Sequence, residues 1–307
     1  MSRVVRAIVG ALLLLGPGGC GVGRPPAGRE HPGFTVSPQE RVALPNSDGS
    51  LKFVVLGDFG TGGTVQYQVA ARMERIREHF PFRLVLTVGD NLYGSELPQD
   101  FKQKFEIPYG KLLSDGVRFR AALGNHDDRN QRFYKSFNMD GELYYSFAPS
   151  GESVRFFVLD TTYPDPEQFA WLERELEQAE EDWRIVYFHH PLYSSGGRHG
   201  SDLALRRALE PLLIRHNVSV VFAGHDHFYE RTRPQNGIVH FVVGSGGKLA
   251  PGDIRARTGL TERGFDQDNV ILVAELEGDR LAFNAITRSG EIVDSGVIVR
   301  RGAAGIR

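Results

Sequence analysis

The chain has 307 residues, 41% apolar and 24% charged, with a formal net charge of -2. That is the make-up of a globular protein with material for a sizeable core, and a mildly acidic body argues against a nucleic-acid backbone as the main partner. One cysteine, Cys20, excludes an intramolecular disulfide and leaves any metal site to nitrogen and oxygen ligands.

In chain order, Arg3 and Arg6 precede an apolar run from Ala7 to Leu15, too short to span a bilayer and laid out like a secretory signal. Residues 1–20 therefore read as a leader. Cys20 follows Gly18 and Gly19, where a bacterial lipoprotein carries its lipid, although Pro17 replaces the large aliphatic residue of a lipobox. The expectation is export, with membrane attachment through a lipidated Cys20 facing the periplasm or cell exterior, or otherwise secretion. Residues 21–48, rich in Gly, Pro and Arg, read as a flexible tether, and 49–307 as one folded domain.

The body opens with an apolar run, Phe53 to Leu56. An amphipathic helix over Thr64 to Phe80 follows, with Val65, Val69, Met73 and Ile76 at steps of three or four. A second strand covers Leu84 to Val88, so the spacing from Asp58 to Asp90 suits one βαβ unit. Further apolar runs cover Phe119 to Leu123, Ile185 to Phe188 and Val218 to Ala223. Helices are expected around Asp165 to Asp182 and Ser201 to His216. After Gly237 come Ile238 to Val243, Asn269 to Leu276, Arg280 to Thr287 and Glu291 to Val299, split by turn residues and expected to pair antiparallel. The alternation implies an α/β fold with a mixed sheet.

Each of five apolar runs ends in a polar cluster: Gly57-Asp58-Phe59-Gly60, Gly89-Asp90-Asn91-Leu92-Tyr93, Gly124-Asn125-His126-Asp127, His189-His190-Pro191 and Gly224-His225-Asp226-His227. Ligands of α/β sheets gather at the carboxyl ends of strands, so the five clusters are expected to converge on one edge. They then supply Asp58, Asp90, Tyr93, Asn125, His189, His225 and His227, a donor set sufficient for two metal ions about 3.5 to 4 Å apart. Phosphate esters demand such help. Their hydrolysis can need up to ~10²¹-fold acceleration, whereas a general acid alone typically gives about 10² to 10⁴.

In these blocks the chain resembles the purple acid phosphatases of the calcineurin-like metallophosphoesterases, and the match covers most of residues 51 to 250. The resemblance implies a sandwich of two mixed β-sheets flanked by helices, of the small single-domain tartrate-resistant type, with 49–307 as the catalytic domain. It implies that Asp58, Tyr93 and His227 hold Fe(III), that Asn125, His189 and His225 hold Fe(II), Zn(II) or Mn(II), and that Asp90 bridges. Metal-bound hydroxide would attack the phosphorus of a small monoester. His126 would bind the phosphate and help protonate the leaving oxygen, and Arg198 and His199 would be further phosphate contacts. Tyr93 discriminates within the superfamily: generic members lack a phenolate there and carry histidine two positions after the first aspartate, where this chain has Gly60.

Two other readings stay open. One is a Mn- or Zn-dependent phosphodiesterase or nucleotide hydrolase on the same fold. The other is a non-catalytic surface lipoprotein that binds phosphate. Gly244-Ser245-Gly246-Gly247 reads as a tight turn, since no Lys-Ser/Thr continuation follows. His79, His216 and His240 read as structural.

Overall fold

A computed structural model describes residues 43–302. The leader, Cys20 and most of the tether lie outside the described residues. The elements run β1 (Leu51–Leu56), α1 (Thr64–His79), β2 (Leu84–Val88), short helices α2 (Pro98–Phe101) and α3 (Gly110–Ser114), and β3 (Arg118–Ala122). They continue with β4 (Tyr145–Phe147), β5 (Val154–Val158), α4 (Pro166–Gln178), β6 (Trp183–Tyr187), α5 (Leu203–Arg215), β7 (Val220–Ala223), β8 (Tyr229–Thr232) and β9 (Val239–Val243). The chain closes with β10 (Thr261–Phe265), β11 (Val270–Glu277), β12 (Arg280–Thr287) and β13 (Ile292–Val299). Among the described residues no helix is long and apolar enough to cross a membrane.

The strands form two mixed sheets, ordered β13-β12-β11-β1-β2-β3 and β10-β8-β9-β7-β6-β5-β4. Strands β1, β2 and β3 run parallel, as do β5, β6, β7 and β9, while β4, β8 and β10–β13 pair antiparallel with their neighbours. These are the two mixed sheets that the resemblance implies, where the alternation alone suggested one. The five clusters stand at the ends of strands from both sheets. Strand β9 pairs antiparallel with β8, as expected, and on its other side lies parallel to β7.

Period-two alternation explains how the sheets stack. Phe156, Ile185, Tyr187, Val220 and Phe222 of the second sheet join the same core as Phe53 and Phe283 of the first. The Phe53 ring lies 5.7 Å from Phe156 and 6.3 Å from Phe222, edge-on. The intervening residues, Phe157, Val186, Phe188 and Val221, face outward into a separate core with Leu172 and Leu176 of α4 and Leu205, Leu209 and Leu213 of α5. On the first sheet α1 contributes Val69, Met73 and Ile76. The helices start at specific caps: Asp165 Oδ1 accepts from Gln168 N at 2.8 Å, and Asp202 Oδ1 from Leu205 N at 2.9 Å.

His240 on β9 is fully buried, and neither ring nitrogen has a hydrogen-bond partner. Burial, with the nearby Arg206 charge, pushes its pKa down to about 3. An unpartnered buried polar group costs about 1–3 kcal/mol, so His240→Leu is expected to raise stability by about 1 kcal/mol or more at pH 7, read as a higher urea midpoint. The pH dependence has a definite sign. Below about 6.5 the unfolded imidazole takes up a proton that the folded one refuses until about pH 3. Stability therefore falls across that window by up to about 1.4 kcal/mol per pH unit. The leucine variant should lack that component of the acid sensitivity.

Candidate metal centre

The five clusters meet above the carboxyl ends of β1, β2, β3, β6 and β7, and the backbone bends sharply to present them. Asp58 (φ 55), Asp90 (φ 52) and His225 (φ 71) all sit in the left-handed region. For residues other than glycine that is strain of order 1–3 kcal/mol each, retained where the surroundings over-determine it and concentrated at functional sites. Two glycines make the close approach possible. A Cβ on Gly124 would stand 2.2 Å from Asp90 Oδ1, and one on Gly60 would stand 1.7 Å from the Asn91 carbonyl oxygen.

The side chains fall into two abutting groups. In the first, Asp58, Asp90 and His227 bring one donor atom each to within 4.8 Å of one another. The Tyr93 hydroxyl lies 3.2 Å from Asp58 Oδ1 and 3.3 Å from His227 Nε2. In the second, Asn125 Oδ1 lies 3.0 Å from both His189 Nε2 and His225 Nδ1. Asp90 Oδ1 is 3.4 Å from His189 Nε2, so this carboxylate touches both groups. His189 Nδ1 meets the Val88 carbonyl at 2.9 Å, which fixes its tautomer and turns Nε2 toward the centre.

Electrostatics suit the same set to cations. Burial, then the Asp90 charge, holds the Asp58 carboxyl well above its ordinary range. Burial pushes His225 down to about 2 and His227 to about 4, and lowers His189. The imidazoles are thus in the neutral form that ligates a metal, and a bound cation would offset the burial and the Asp90 repulsion that hold the Asp58 carboxyl up. Burial and the charges of Asp58 and Asp90 drive the Tyr93 phenol far above its usual value. Only a strongly charged cation beside it would ionise it. The Lys248 ammonium, 4.4 Å from the centre of the Tyr93 ring, adds positive charge on that side.

All seven expected ligands come together, and two of the three expected phosphate contacts stand beside them. The His126 ring lies 4.8 Å from that of Tyr93, and the His199 ring 4.2 Å from that of His225. Arg198 is exposed on the same loop, with no hydrogen bond or ion pair among the described residues. His190, beside His189 in the same block, also turns inward. Its ring is 4.5 Å from that of His225, and its Nδ1 is 3.0 Å from Thr161 Oγ1.

Sequence reasoning missed the buttresses. Asp127 accepts from the amides of Asn91, Leu92 and Gly124 at 3.0, 3.0 and 2.8 Å, tying the Asp90 loop to the Asn125 loop. Asp226 accepts from Ser194 Oγ at 2.5 Å and from Gly200 N, and so fixes the loop that carries His199. The signal was present: each is an acid within a motif block that no ion claims. Gly246 N and Gly247 N donate to the carbonyls of Gly57 and Asp58 at 2.9 and 3.0 Å, so the glycine run, read as a turn, also props the first ligand.

The family model described as calcineurin-like phosphoesterase matches residues 51–229, more than half of the chain. The chain belongs to the calcineurin-like phosphoesterases. It is therefore a metal-dependent hydrolase of phosphate esters, and its two donor groups provide for a dinuclear metal centre. Among curated proteins, this phosphoesterase is similar to purple acid phosphatase 4 of Arabidopsis thaliana, at 27% identity over 240 residues, 67% of this chain and 70% of that protein. It is similar also to tartrate-resistant acid phosphatase type 5 of Oryctolagus cuniculus, at 26% identity over 256 residues, 68% of this chain and 77% of the other. Among solved structures, GAP50, described as the anchor in the inner membrane complex of Plasmodium, shares the fold with a TM-score of 0.70. Its identity is 21%, over 82% of this chain and 89% of that one.

Proposed function

We propose that this phosphoesterase hydrolyses small phosphate monoesters as an acid phosphatase of the purple type, with a ferric and a divalent ion in its centre. The observation that carries the reading is the Tyr93 hydroxyl, placed between Asp58 Oδ1 and His227 Nε2. A phenol surrounded by carboxylate and imidazole suits a hard, highly charged ion. Asp58, Tyr93 and His227 would hold Fe(III). Asn125, His189 and His225, with an amide oxygen and two neutral imidazoles, would hold Fe(II), Zn(II) or Mn(II), and Asp90 would serve both. When bound, the pair would offset phosphoryl charge and lower the pKa of water at the centre. The chain's own groups do the rest. His126 faces the leaving oxygen and gives it a proton, His199 and Arg198 steady the phosphate, and the Asp127 and Asp226 buttresses keep the loops in register. Export, with Cys20 as lipid anchor, belongs to the same proposal and rests on residues 1–20 of the sequence.

The visible spectrum tests it. Protein loaded with iron should show a tyrosinate-to-iron band that Tyr93→Phe abolishes while hydrolytic activity persists in part. A colourless, iron-free protein that still hydrolyses phosphate esters would sink the ferric assignment and favour a Mn or Zn enzyme of the same fold.

A further inference from the structure

The amino-terminal edge of the first sheet, opposite the metal centre, holds a cleft of about 370 Å³. Its walls include Lys52 at the start of β1, Arg83 just before β2, and Arg118 and Arg120 of β3, with Phe147 and Pro149 from the end of β4 and the loop after it. None of the residues lining it is acidic, in a chain whose net charge is -2. The four cations differ in how they are held. Lys52 donates to the Ser47 carbonyl and to Ser50 Oγ and stands 3.9 Å from Glu275. Arg120 donates to the Asn138 carbonyl, pairs with Asp140 at 3.2 Å and lies 4.9 Å from the centre of the Phe147 ring. Arg83 and Arg118 are exposed, and neither side chain has a hydrogen-bond or ion-pair partner among the described residues. Their backbones are joined, Arg118 N donating to the Arg83 carbonyl at 2.9 Å, and both residues line the cleft. A second cleft, of about 240 Å³, has Glu152, Asp182, Glu277 and Asp279 among its lining residues and no basic residue.

Two unengaged guanidiniums, one from just before β2 and one from β3, backed by two fixed cations and an aromatic wall, form a receptor for a compact dianion with a small apolar part. We propose that this cleft binds a phosphate group bearing a small apolar substituent, as a second anion site separate from the metal centre. The group could belong to a free phosphorylated molecule or to a phospholipid headgroup.

Phenylphosphonate, whose carbon–phosphorus bond resists hydrolysis at the metal centre, is the probe. Calorimetric titration of the metal-loaded protein should find a second equivalent beyond the one at the metals. In Arg83→Gln/Arg118→Gln that second site should weaken by about tenfold or more, while hydrolysis of a phosphate monoester is unchanged. In parallel, sedimentation with vesicles of phosphatidic acid, whose headgroup is a phosphate monoester, or of phosphatidylcholine separates the sources. Binding to the anionic vesicles that the double variant loses supports a headgroup, and a second phosphonate equivalent without vesicle binding supports a free ligand. A wild type with one equivalent and no vesicle binding, or a double variant matching wild type in both assays, overturns the proposal.

Discussion

Asp90→Asn is expected to lower kcat/KM for a phosphate monoester by about three decades and to leave the protein with fewer than two metal equivalents. Asp90 is 1% exposed. One of its oxygens accepts from His126 N at 3.0 Å and lies 3.4 Å from His189 Nε2, so its charge serves both donor groups at once. A metal pair stabilises the charge of phosphoryl transfer by several kcal/mol, and each 1.36 kcal/mol is a factor of ten in rate. Asparagine suits the experiment because it tolerates the left-handed backbone at φ 52 and keeps nearly the same shape. The fold should survive. In the metal-free chain the Asp90 charge helps hold the Asp58 carboxyl above its ordinary range, so removing it relieves repulsion. Metal analysis beside steady-state kinetics decides the matter: two equivalents retained with kcat/KM within tenfold of wild type would remove Asp90 from the centre.

The second large effect is expected at His126. Its amide is engaged with Asp90, but its exposed ring makes no hydrogen bond among the described residues, so the fold does not depend on the imidazole. His126→Ala should cut kcat by about 10² to 10⁴, the range for loss of a general acid, with both metal equivalents retained. The leaving group supplies the sharper readout. An alkoxide needs protonation far more than a nitrophenolate does, so glycerol phosphate should suffer a much larger loss than p-nitrophenyl phosphate. Equal losses on the two substrates would reduce His126 to a phosphate contact.

How far the sequence reached depended on whether a feature is local. The strands Leu84–Val88 and Arg280–Thr287 have the expected bounds, and α1 ends one residue before the expected Phe80. These segments carry their own periodicity. The strands β4, β5, β8 and β10 went unread: Tyr145–Phe147 is only three residues long, and Tyr229–Thr232 and Thr261–Phe265 are largely polar and carry no apolar run. Assignment to two sheets was not visible in the runs themselves, because pairing is a property of segments far apart in the chain. At the centre, the donor residues were legible because metals constrain residue type. The work of Asp127 and Asp226 was not, since a carboxylate that accepts amides from a neighbouring loop looks in sequence like any turn-forming aspartate.

The contact between Gly60 and the Asn91 carbonyl also bears on how such centres can diverge. Here the Gly60 carbonyl accepts from Tyr93 N at 2.9 Å, and a Cβ at position 60 would sit inside the neighbouring loop. A side chain at position 60 and this path of the neighbouring loop are therefore sterically exclusive. No side chain at position 60 is accommodated while the loop from Asn91 to Tyr93 stays in place, so the bare backbone at Gly60 and the placing of the Tyr93 phenol come as a pair.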